Sequence, residues 1–464
     1  MVSTQPTVLP AAAPAARGRL ERLEPVALPA LAVVVALGVG LRLWSTSPLW
    51  LDEAQTVQFA KLPLSGLHGA LKTDGAPPLY YVLLHGWLRM YAAFGIDNPW
   101  AARSLSMLFS IAALPLAYLA GRRLGGTRRH GEVTLVLAAA NPWSVRYAGE
   151  ARMYSLVVLL VLLGVLAFDW VRRRPGPAPV IALGTVTAAL LYTHYWAMFL
   201  LMTVGAIVLA RAWRCPGARR TARRILIGMA GGGVLFLPWV PTLLYQSSHT
   251  GAPWADRPDL GTLAALPADW SGGEGPVGRL LALLIVPLLL LMAFGIRTLP
   301  PRAGVPVLAS IVVLGLLGSL TIARTPHSQA GRVADVINAE GQPGDMVVFC
   351  PDQLAPGVEA RLTLAGLETL TLPPQPNAAV VDWTDYEARI AALKPKVLAD
   401  GIADYSHSKP NATIWFVSGV GYRTHAQLCT ALHNRLIAEL GLPGGVLTRE
   451  GRGYEKASLE RFPR

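Results

Sequence analysis

Residues 154–174 read YSLVVLLVLLGVLAFDWVRRR. An apolar run of this length is what an α-helix needs to cross a hydrocarbon layer of about 30 Å, because each residue advances the helix by about 1.5 Å. Three arginines follow the run, and arginine clusters are typical of the cytoplasmic end of a span. The stretch therefore predicts a transmembrane helix, and the recurrence of such stretches decides the fold class.

The composition of the whole chain is also that of a membrane protein. Of its 464 residues, 53% are hydrophobic and 15% are charged, whereas soluble chains carry about 25% charged residues. The net charge of +13 first raises nucleic acid as a partner. However, residues 324–464 carry 14 basic and 15 acidic residues, so the whole excess lies in the apolar residues 1–323. We therefore predict a polytopic membrane protein with no nucleic-acid partner.

About nine segments are apolar and long enough to be interpreted as membrane helices. The first shows no cleavage-like end, so it is interpreted as an anchor rather than as a removed signal peptide. The predicted spans are residues 26–44, 101–120, 132–149, 154–171, 178–195, 196–213, 225–244, 277–296 and 303–323.

Arginine clusters orient these spans. They precede the first span and follow the second, fourth, sixth and eighth, so every second junction is basic. Because basic loops stay in the cytoplasm, this side is predicted to be cytoplasmic. Residues 1–25 are then a disordered cytoplasmic tail, and residues 26–323 form a multi-pass domain in the cell membrane. Its loop 45–100 and residues 324–464 are predicted to be extracytoplasmic.

A further apolar segment, residues 78–94, is interpreted as an interfacial helix, because a span there would reverse every later loop. Residues 324–464 are predicted to form an α/β domain, with a helix at 333–339, strands at 345–350 and 414–418, and a helix at 426–440. Cys350 and Cys429 would both lie outside, where a disulfide is permitted, but the sequence does not show that they pair.

Two adjacent acids, Asp52 and Glu53, follow the first span beside Trp50. A carboxylate at this position can act as a general base toward an acceptor hydroxyl, or it can hold a metal ion or a sugar hydroxyl. Acids also favour the first turn of a helix for purely structural reasons. The residues themselves leave these alternatives open.

A second group of charges lies in the turn between the third and fourth spans. Arg146, Glu150 and Arg152 occur there within seven residues, just before Tyr154. The planar fork of arginine matches phosphate oxygens. A structural ion pair with snorkelling arginines would also explain them.

Two further motifs lie on the same predicted side. His194 and Tyr195 form part of a polar aromatic turn that could stack on a sugar or bond a phosphate, or could belong to an interfacial aromatic belt. Asp74 and Tyr81 flank a Pro-Pro pair that leads into the apolar segment 78–94. Structure alone would explain this last motif, since proline sets the start of a helix.

The order of these motifs resembles a known family. After the Asp52–Glu53 pair come PPLYY at 77–81, AARSLS at 101–106 and EARMYSL at 150–156. The combination is similar to the GT-C membrane glycosyltransferases of the protein O-mannosyltransferase and aminoarabinose-transferase kind, also called dolichyl-phosphate-mannose–protein mannosyltransferase-like. The resemblance covers roughly residues 26–245. Ala76 stands where many relatives have a histidine.

The resemblance implies a polyprenyl-phosphate sugar donor and inverting transfer of a hexosyl or pentosyl group to a protein or glycan acceptor. It implies that Asp52 is the base or orienting acid, with Glu53 beside it. It places Arg152, Arg146 and Arg103 near the donor phosphate. The further candidates for substrate binding are Glu150, Tyr154, His194, Tyr195, Asp74 and Tyr81.

The fold class that follows is a GT-C-like α-helical polytopic domain with a C-terminal extracytoplasmic α/β domain. No ligand spacing demands a metal, although the acids could hold a divalent ion. Two alternatives remain open. One is a transporter or flippase of polyprenyl-phosphate sugars, and the other is a degenerate glycosyltransferase that acts as a cell-wall-binding scaffold.

Overall fold

The computed structural model describes residues 14–251, 261, 288–420, 422, 424–449 and 455–463. In the described part before residue 325 the regular structure is helical. These helices are α1 (Pro14–Leu43), α2 (Leu51–Lys61), α3 (Leu64–Asp74), α4 (Leu79–Ala92), α5 (Pro99–Gly125), α6 (Arg128–Ala140), α7 (Pro142–Ala148), α8 (Tyr154–Arg173), α9 (Pro177–Thr193), α10 (Ala197–Arg214), α11 (Arg219–Phe236), α12 (Val240–His249), α13 (Leu288–Thr298) and α14 (Pro301–Arg324).

Among the described residues, five stretches are long and apolar enough to cross a membrane. They are Pro99–Gly125, Tyr154–Arg173, Ala197–Arg214, Pro216–His249 and Arg302–Arg324, and they coincide with the spans predicted at 101–120, 154–171, 196–213, 225–244 and 303–323. The spans predicted at 26–44 and 178–195 fall on shorter apolar helices. The span predicted at 277–296 lies mostly outside the described residues. The structure is that of a polytopic helical membrane protein, and the count of nine spans stays a prediction.

The span predicted at 132–149 is not one helix. Helix α6 ends at Ala140, and α7 begins at Pro142 because the proline ring cannot follow a continuing helical turn. The Asn141 side chain caps α7 by accepting a hydrogen bond from the Ser144 amide at 3.0 Å. The guanidinium of Arg42 donates to the carbonyls of Ala138 and Ala139, each at 2.8 Å. Arg42 therefore supplies donors to two backbone carbonyls at the break.

Close backbone contact joins two of the apolar helices, α9 and α11. A Cβ added at Gly232 would lie 2.5 Å from the Gly184 carbonyl oxygen and 2.6 Å from the Thr187 Cβ. Such distances are too short for any side chain larger than hydrogen. Glycine is therefore required at this crossing, as is common where membrane helices approach closely.

The C-terminal α/β region (residues 330–463) contains a sheet and flanking helices. Its elements are α15 (Ala330–Glu340), β1 (Met346–Cys350), α16 (Ala355–Glu359), β2 (Glu368–Thr371), α17 (Tyr386–Ala391), α18 (Pro395–Ser408), β3 (Ile414–Gly419), α19 (Ala426–Leu440), β4 (Gly444–Leu447) and β5 (Ala457–Phe462). The five strands form one sheet in the order β2-β1-β3-β5-β4. Strand β1 is parallel to β2 and β3, and β5 is antiparallel to β3 and β4.

The two strands predicted in this region correspond to β1 and β3, and the helix predicted at 426–440 is α19. Strand residues alternate between two apolar clusters, with Phe349 and Trp415 on one face of the sheet and Val348 and Phe416 on the other. A disulfide joins Cys350 to Cys429, so β1 and α19 are covalently linked. This pairing was left open by the sequence.

Candidate functional site

Helix α2 presents three polar faces because successive helical residues turn by about 100°. Asp52 and Thr56 lie on one face, one turn apart. Glu53 points to a second face, and Gln55 to a third. Each face meets a different part of the molecule, so the environment of each side chain has to be described separately.

The first face brings Asp52 to Arg152. An Arg152 Nη2 atom lies 3.5 Å from Asp52 Oδ2, and the two side chains keep 12% and 16% of their surface exposed. Arg152 Nη1 donates to the Thr56 hydroxyl at 2.9 Å. Arg152 Nε is buried and has no hydrogen-bond partner among the described residues. The Arg152 guanidinium therefore has one N–H group, at Nε, without an acceptor among the described residues, and it lies beside the partly exposed carboxylate of Asp52.

The backbone around Arg152 is held in place. Its carbonyl oxygen accepts a hydrogen bond from the Ser106 hydroxyl at 3.0 Å, and Ser106 Oγ lies 2.8 Å from the Tyr80 hydroxyl. Tyr80 and Ser106 are both buried. The short turn before α8 thus fixes the arginine by contacts to α4 and α5.

Asp74 adds a second carboxyl group near Arg152. Gln55 Nε2 donates to Asp74 Oδ1 at 2.6 Å, and the Tyr81 hydroxyl donates to Oδ2 at 2.7 Å. Burial raises the pKa of Asp74, and the nearby positive charge of Arg152 offsets part of that rise. The structure thus brings together Asp52, Arg152, Asp74 and Tyr81, which sequence reasoning selected from separate motifs.

The second face of α2 carries a buried ion pair. Arg103 donates to both carboxylate oxygens of Glu53, at 2.7 and 2.5 Å, and neither side chain is exposed. The Ala151 amide donates to Glu53 Oε1 at 2.8 Å. Burial alone would raise the pKa of Glu53, but the charge and hydrogen bonds of Arg103 outweigh it and hold that pKa at about 2. Glu53 thus connects α2 and α5 to the turn that carries Arg152.

The candidates Arg146 and Glu150 form a separate pair. Arg146 Nε donates to Glu150 Oε1 at 3.3 Å, with 10% and 1% of the side chains exposed. Burial raises the pKa of Glu150, against the opposing charge of Arg146. Arg146 lines a small cavity together with Trp44 and His327. This cavity is separate from the contact between Asp52 and Arg152.

The aromatic candidates lie in two further groups. The Tyr154 ring packs against Tyr147 and His194, with ring centroids 4.4 and 5.7 Å away. The Tyr195 hydroxyl donates to Gln246 and accepts from Trp239 Nε1 at 2.8 Å. The turn at 194–195 therefore packs against Tyr154 of α8 and is hydrogen-bonded to Gln246 of α12.

Sequence reasoning missed two groups of residues at this site. Gln55 and Thr56 could have been found from their helical spacing to Asp52. Glu455 and Val381 could not, because they contact α2 from the distant C-terminal α/β region. Among the described residues, no group of three or more His, Cys, Asp or Glu side chains is arranged to hold a metal ion.

The fold and this polar cluster are those of a polytopic membrane protein. Its short helix α2 packs against the C-terminal α/β region and meets Arg152 from the turn before α8. No protein-family model matches the chain, and no curated protein matches it.

Solved structures share the fold. The chain is similar to ArnT from Cupriavidus metallidurans bound to undecaprenyl phosphate, with a TM-score of 0.50 and 14% identity over 94% of this chain and 97% of that one. It is also similar to the apo state of the same protein, with a TM-score of 0.52 and 15% identity over 96% and 98% of the two chains. At these identities the likeness shows the fold.

Proposed function

We propose that the protein is a glycosyltransferase that moves a sugar from a polyprenyl-phosphate donor to an acceptor hydroxyl. The observation that carries the proposal is the Asp52–Arg152 pair, in which a partly exposed carboxylate lies beside a guanidinium with an unused buried donor. The fold likeness to ArnT supports it, because that protein was solved with undecaprenyl phosphate bound.

The proposed reaction follows from the chemistry of these two groups. Asp52 takes the proton of the acceptor hydroxyl, whose oxygen forms a bond to the anomeric carbon of the sugar. The bond from that carbon to the phosphate oxygen breaks, and its electron pair stays on the phosphate. Arg152 stabilises this added negative charge with its fork of N–H donors.

The remaining candidates take supporting roles in this proposal. Glu53 and Arg103 have no exposed surface, so we assign them to holding α2 and the turn before α8 rather than to substrate contact. Arg146 and Glu150 form a second charged pair, and Arg146 borders the small cavity at Trp44. Asp74 and Tyr81 are placed to orient Arg152 or a sugar hydroxyl.

The orientation predicted from the arginine clusters belongs to the proposal. It places the site and the C-terminal α/β region on the extracytoplasmic side of the cell membrane. The Cys350–Cys429 disulfide supports that orientation, since disulfides persist in oxidising compartments. The donor would then present its sugar outward, toward a protein or glycan acceptor.

Membrane vesicles containing the purified protein test the proposal. They are supplied with labelled undecaprenyl-phosphate hexoses and pentoses and with a panel of peptide and glycan acceptors. Asp52→Asn is expected to lower kcat about 10²- to 10⁴-fold, because the general base is lost. Arg152→Gln is expected to lower kcat about 10²- to 10³-fold, because a donor to the leaving phosphate is lost.

The matched control is Asp97→Asn, which removes an exposed carboxylate that pairs with Lys61 at the far end of α2. This variant is expected to transfer sugar at the parental rate. Unchanged transfer by Asp52→Asn would refute the base role. Movement of labelled donor across the vesicle without a glycosidic product would instead indicate the transporter alternative.

A further inference from the structure

The N-terminus of α2 is capped by a residue of the C-terminal α/β region. Its N-cap residue, Trp50, makes no side-chain capping bond. Instead, the Leu51 amide donates to Glu455 Oε1 at 2.7 Å, across 404 residues of sequence. Glu455 is 4% exposed, so this contact is buried. An oxygen acceptor at this position satisfies one of the free N–H groups of the first helical turn.

A second contact holds α2 one turn further along. The Gln55 side chain forms a reciprocal pair with the backbone of Val381, donating to its carbonyl at 3.2 Å and accepting from its amide at 2.9 Å. The same Gln55 amide donates to Asp74. Leu51 and Gln55 therefore form one face of α2, and both are held by the C-terminal α/β region.

Packing and backbone contacts make these attachments rigid. Trp50 and Leu51 belong to an apolar cluster with Val381, Trp383 and Tyr386. The Glu455 backbone is itself fixed, since its amide donates to the His327 carbonyl and its carbonyl accepts from the Gln329 amide, each at 3.2 Å.

We propose that the C-terminal α/β region contributes to the catalytic site, and that Glu455 and Gln55 are positioning residues for Asp52. Both attachments lie on the face of α2 next to the one that carries Asp52 and Thr56, and they bracket Asp52 in the sequence. They set the rotation and height of the helix, and so the position of the Asp52 carboxylate relative to Arg152. This inference rests on the proposed function.

The protonation state of Glu455 does not decide the contact. Burial, together with the charges of Asp52 and Glu53, raises the pKa of Glu455 to about 8. A carboxyl oxygen accepts from the Leu51 amide whether the group is charged or neutral. An amide oxygen can do the same, so glutamine at this position preserves the cap.

The experiment compares Glu455→Gln with Glu455→Ala in the full-length protein, using labelled undecaprenyl-phosphate sugar as the probe. Glu455→Gln is expected to keep kcat within about twofold of the parent. Glu455→Ala is expected to lower kcat about 10- to 100-fold with little change in KM for the donor, because small misplacements of a reacting group are costly. Glu439→Ala, an exposed acid in α19, is the control and keeps the parental rate.

A second variant covers the case in which Glu455→Ala does not fold. Gln55→Met keeps the side-chain length but removes the Val381 and Asp74 bonds, and the same fall in kcat is expected. Parental kcat in the folded alanine variant, or in Gln55→Met, would overturn the inference while Asp52→Asn still showed loss of transfer. Parental transfer by Asp52→Asn would instead remove the proposed function itself.

Discussion

At the scale of single residues, Asp52 and Glu53 show how neighbouring acids acquire different roles. Glu53 is fully buried and held by two bonds from Arg103, whereas Asp52 keeps 16% of its side chain exposed beside Arg152. The sequence selected both acids as candidate catalytic residues. It could not distinguish their environments, because these depend on which helix each side chain meets.

The buried Glu53–Arg103 pair gives a stability prediction. Glu53→Gln leaves the Arg103 charge buried without its counterion, so the free energy of unfolding is expected to fall by about 3–5 kcal/mol. Thermal unfolding of detergent-purified protein measures the loss. Asp97→Asn breaks the exposed Lys61 pair and is expected to cost less than about 1 kcal/mol. Equal losses in the two variants would contradict the assigned structural role of Glu53.

A buried carboxyl in the C-terminal α/β region gives a pH prediction. Burial raises the pKa of Asp352 from its usual 3.8 to about 7, although hydrogen bonds from Tyr386 and Gln375 oppose the rise. The folded state therefore holds this proton more tightly than the unfolded state. The contribution of protonated Asp352 to the free energy of unfolding is therefore present at low pH, and it is lost as the pH rises from about 4 to about 7.

Asp352→Asn, which carries no titrating proton, is expected to remove that part of the pH dependence. The parent should unfold at a higher temperature at pH 5 than at pH 7.5, and the difference should shrink in the variant. Asp335→Asn, in an exposed pair with Arg361, is the control. An identical pH dependence in the parent and Asp352→Asn would refute the assignment.

At the scale of elements, the periodicity of apolar residues predicted the long apolar helices and α19. It did not predict the helix break within residues 132–149 or the more polar strands β2 and β5. The apolar run 132–149 contains a break at Pro142, where Arg42 from α1 donates to the carbonyls of Ala138 and Ala139. Strand β2 was missed because it has four residues and is largely exposed. Strand β5 was missed because the consecutive charged residues Glu460 and Arg461 interrupt its apolar alternation.

The crossing of α9 and α11 gives a prediction with an adjacent control. Gly232→Ala places a Cβ within 2.5 Å of the Gly184 carbonyl oxygen, so the helices must separate. A loss of about 1–3 kcal/mol is expected, as for other overpacked sites. Gly233→Ala meets no atom within 4 Å and is expected to be neutral or slightly stabilising. Thermal unfolding of both variants tests this, and equal behaviour would contradict the close packing.

At the scale of the whole molecule, composition and arginine placement were sufficient to predict a polytopic membrane protein. The same reasoning could not predict how the C-terminal α/β region packs against α2. Contacts such as Leu51–Glu455 join residues 404 apart, and no local pattern encodes such a distance. Charge and the periodicity of apolar residues predict local secondary structure, whereas the contact between α2 and the C-terminal α/β region depends on the folded shape of both.

The disulfide gives a prediction at this scale. Cys350→Ala together with Cys429→Ala opens a covalent loop of 79 residues, and a loss of about 4 kcal/mol is expected from loop entropy. Thermal unfolding under non-reducing conditions measures it. The exposed, unpaired Cys215 provides the control, because Cys215→Ala should leave stability unchanged. No difference between the two variants would mean that the disulfide does not stabilise the fold.

The remote cap on α2 also has a consequence for the timing of biosynthesis. The ribosome adds Asp52 to the chain 403 residues before it adds Glu455. Until strand β5 has formed, the first turn of α2 lacks the acceptor that Glu455 provides. A nascent chain, or one that terminates before Glu455, would thus carry Asp52 and Arg152 without this cap, and under the proposed function we expect it to transfer sugar more slowly than a chain that includes Glu455.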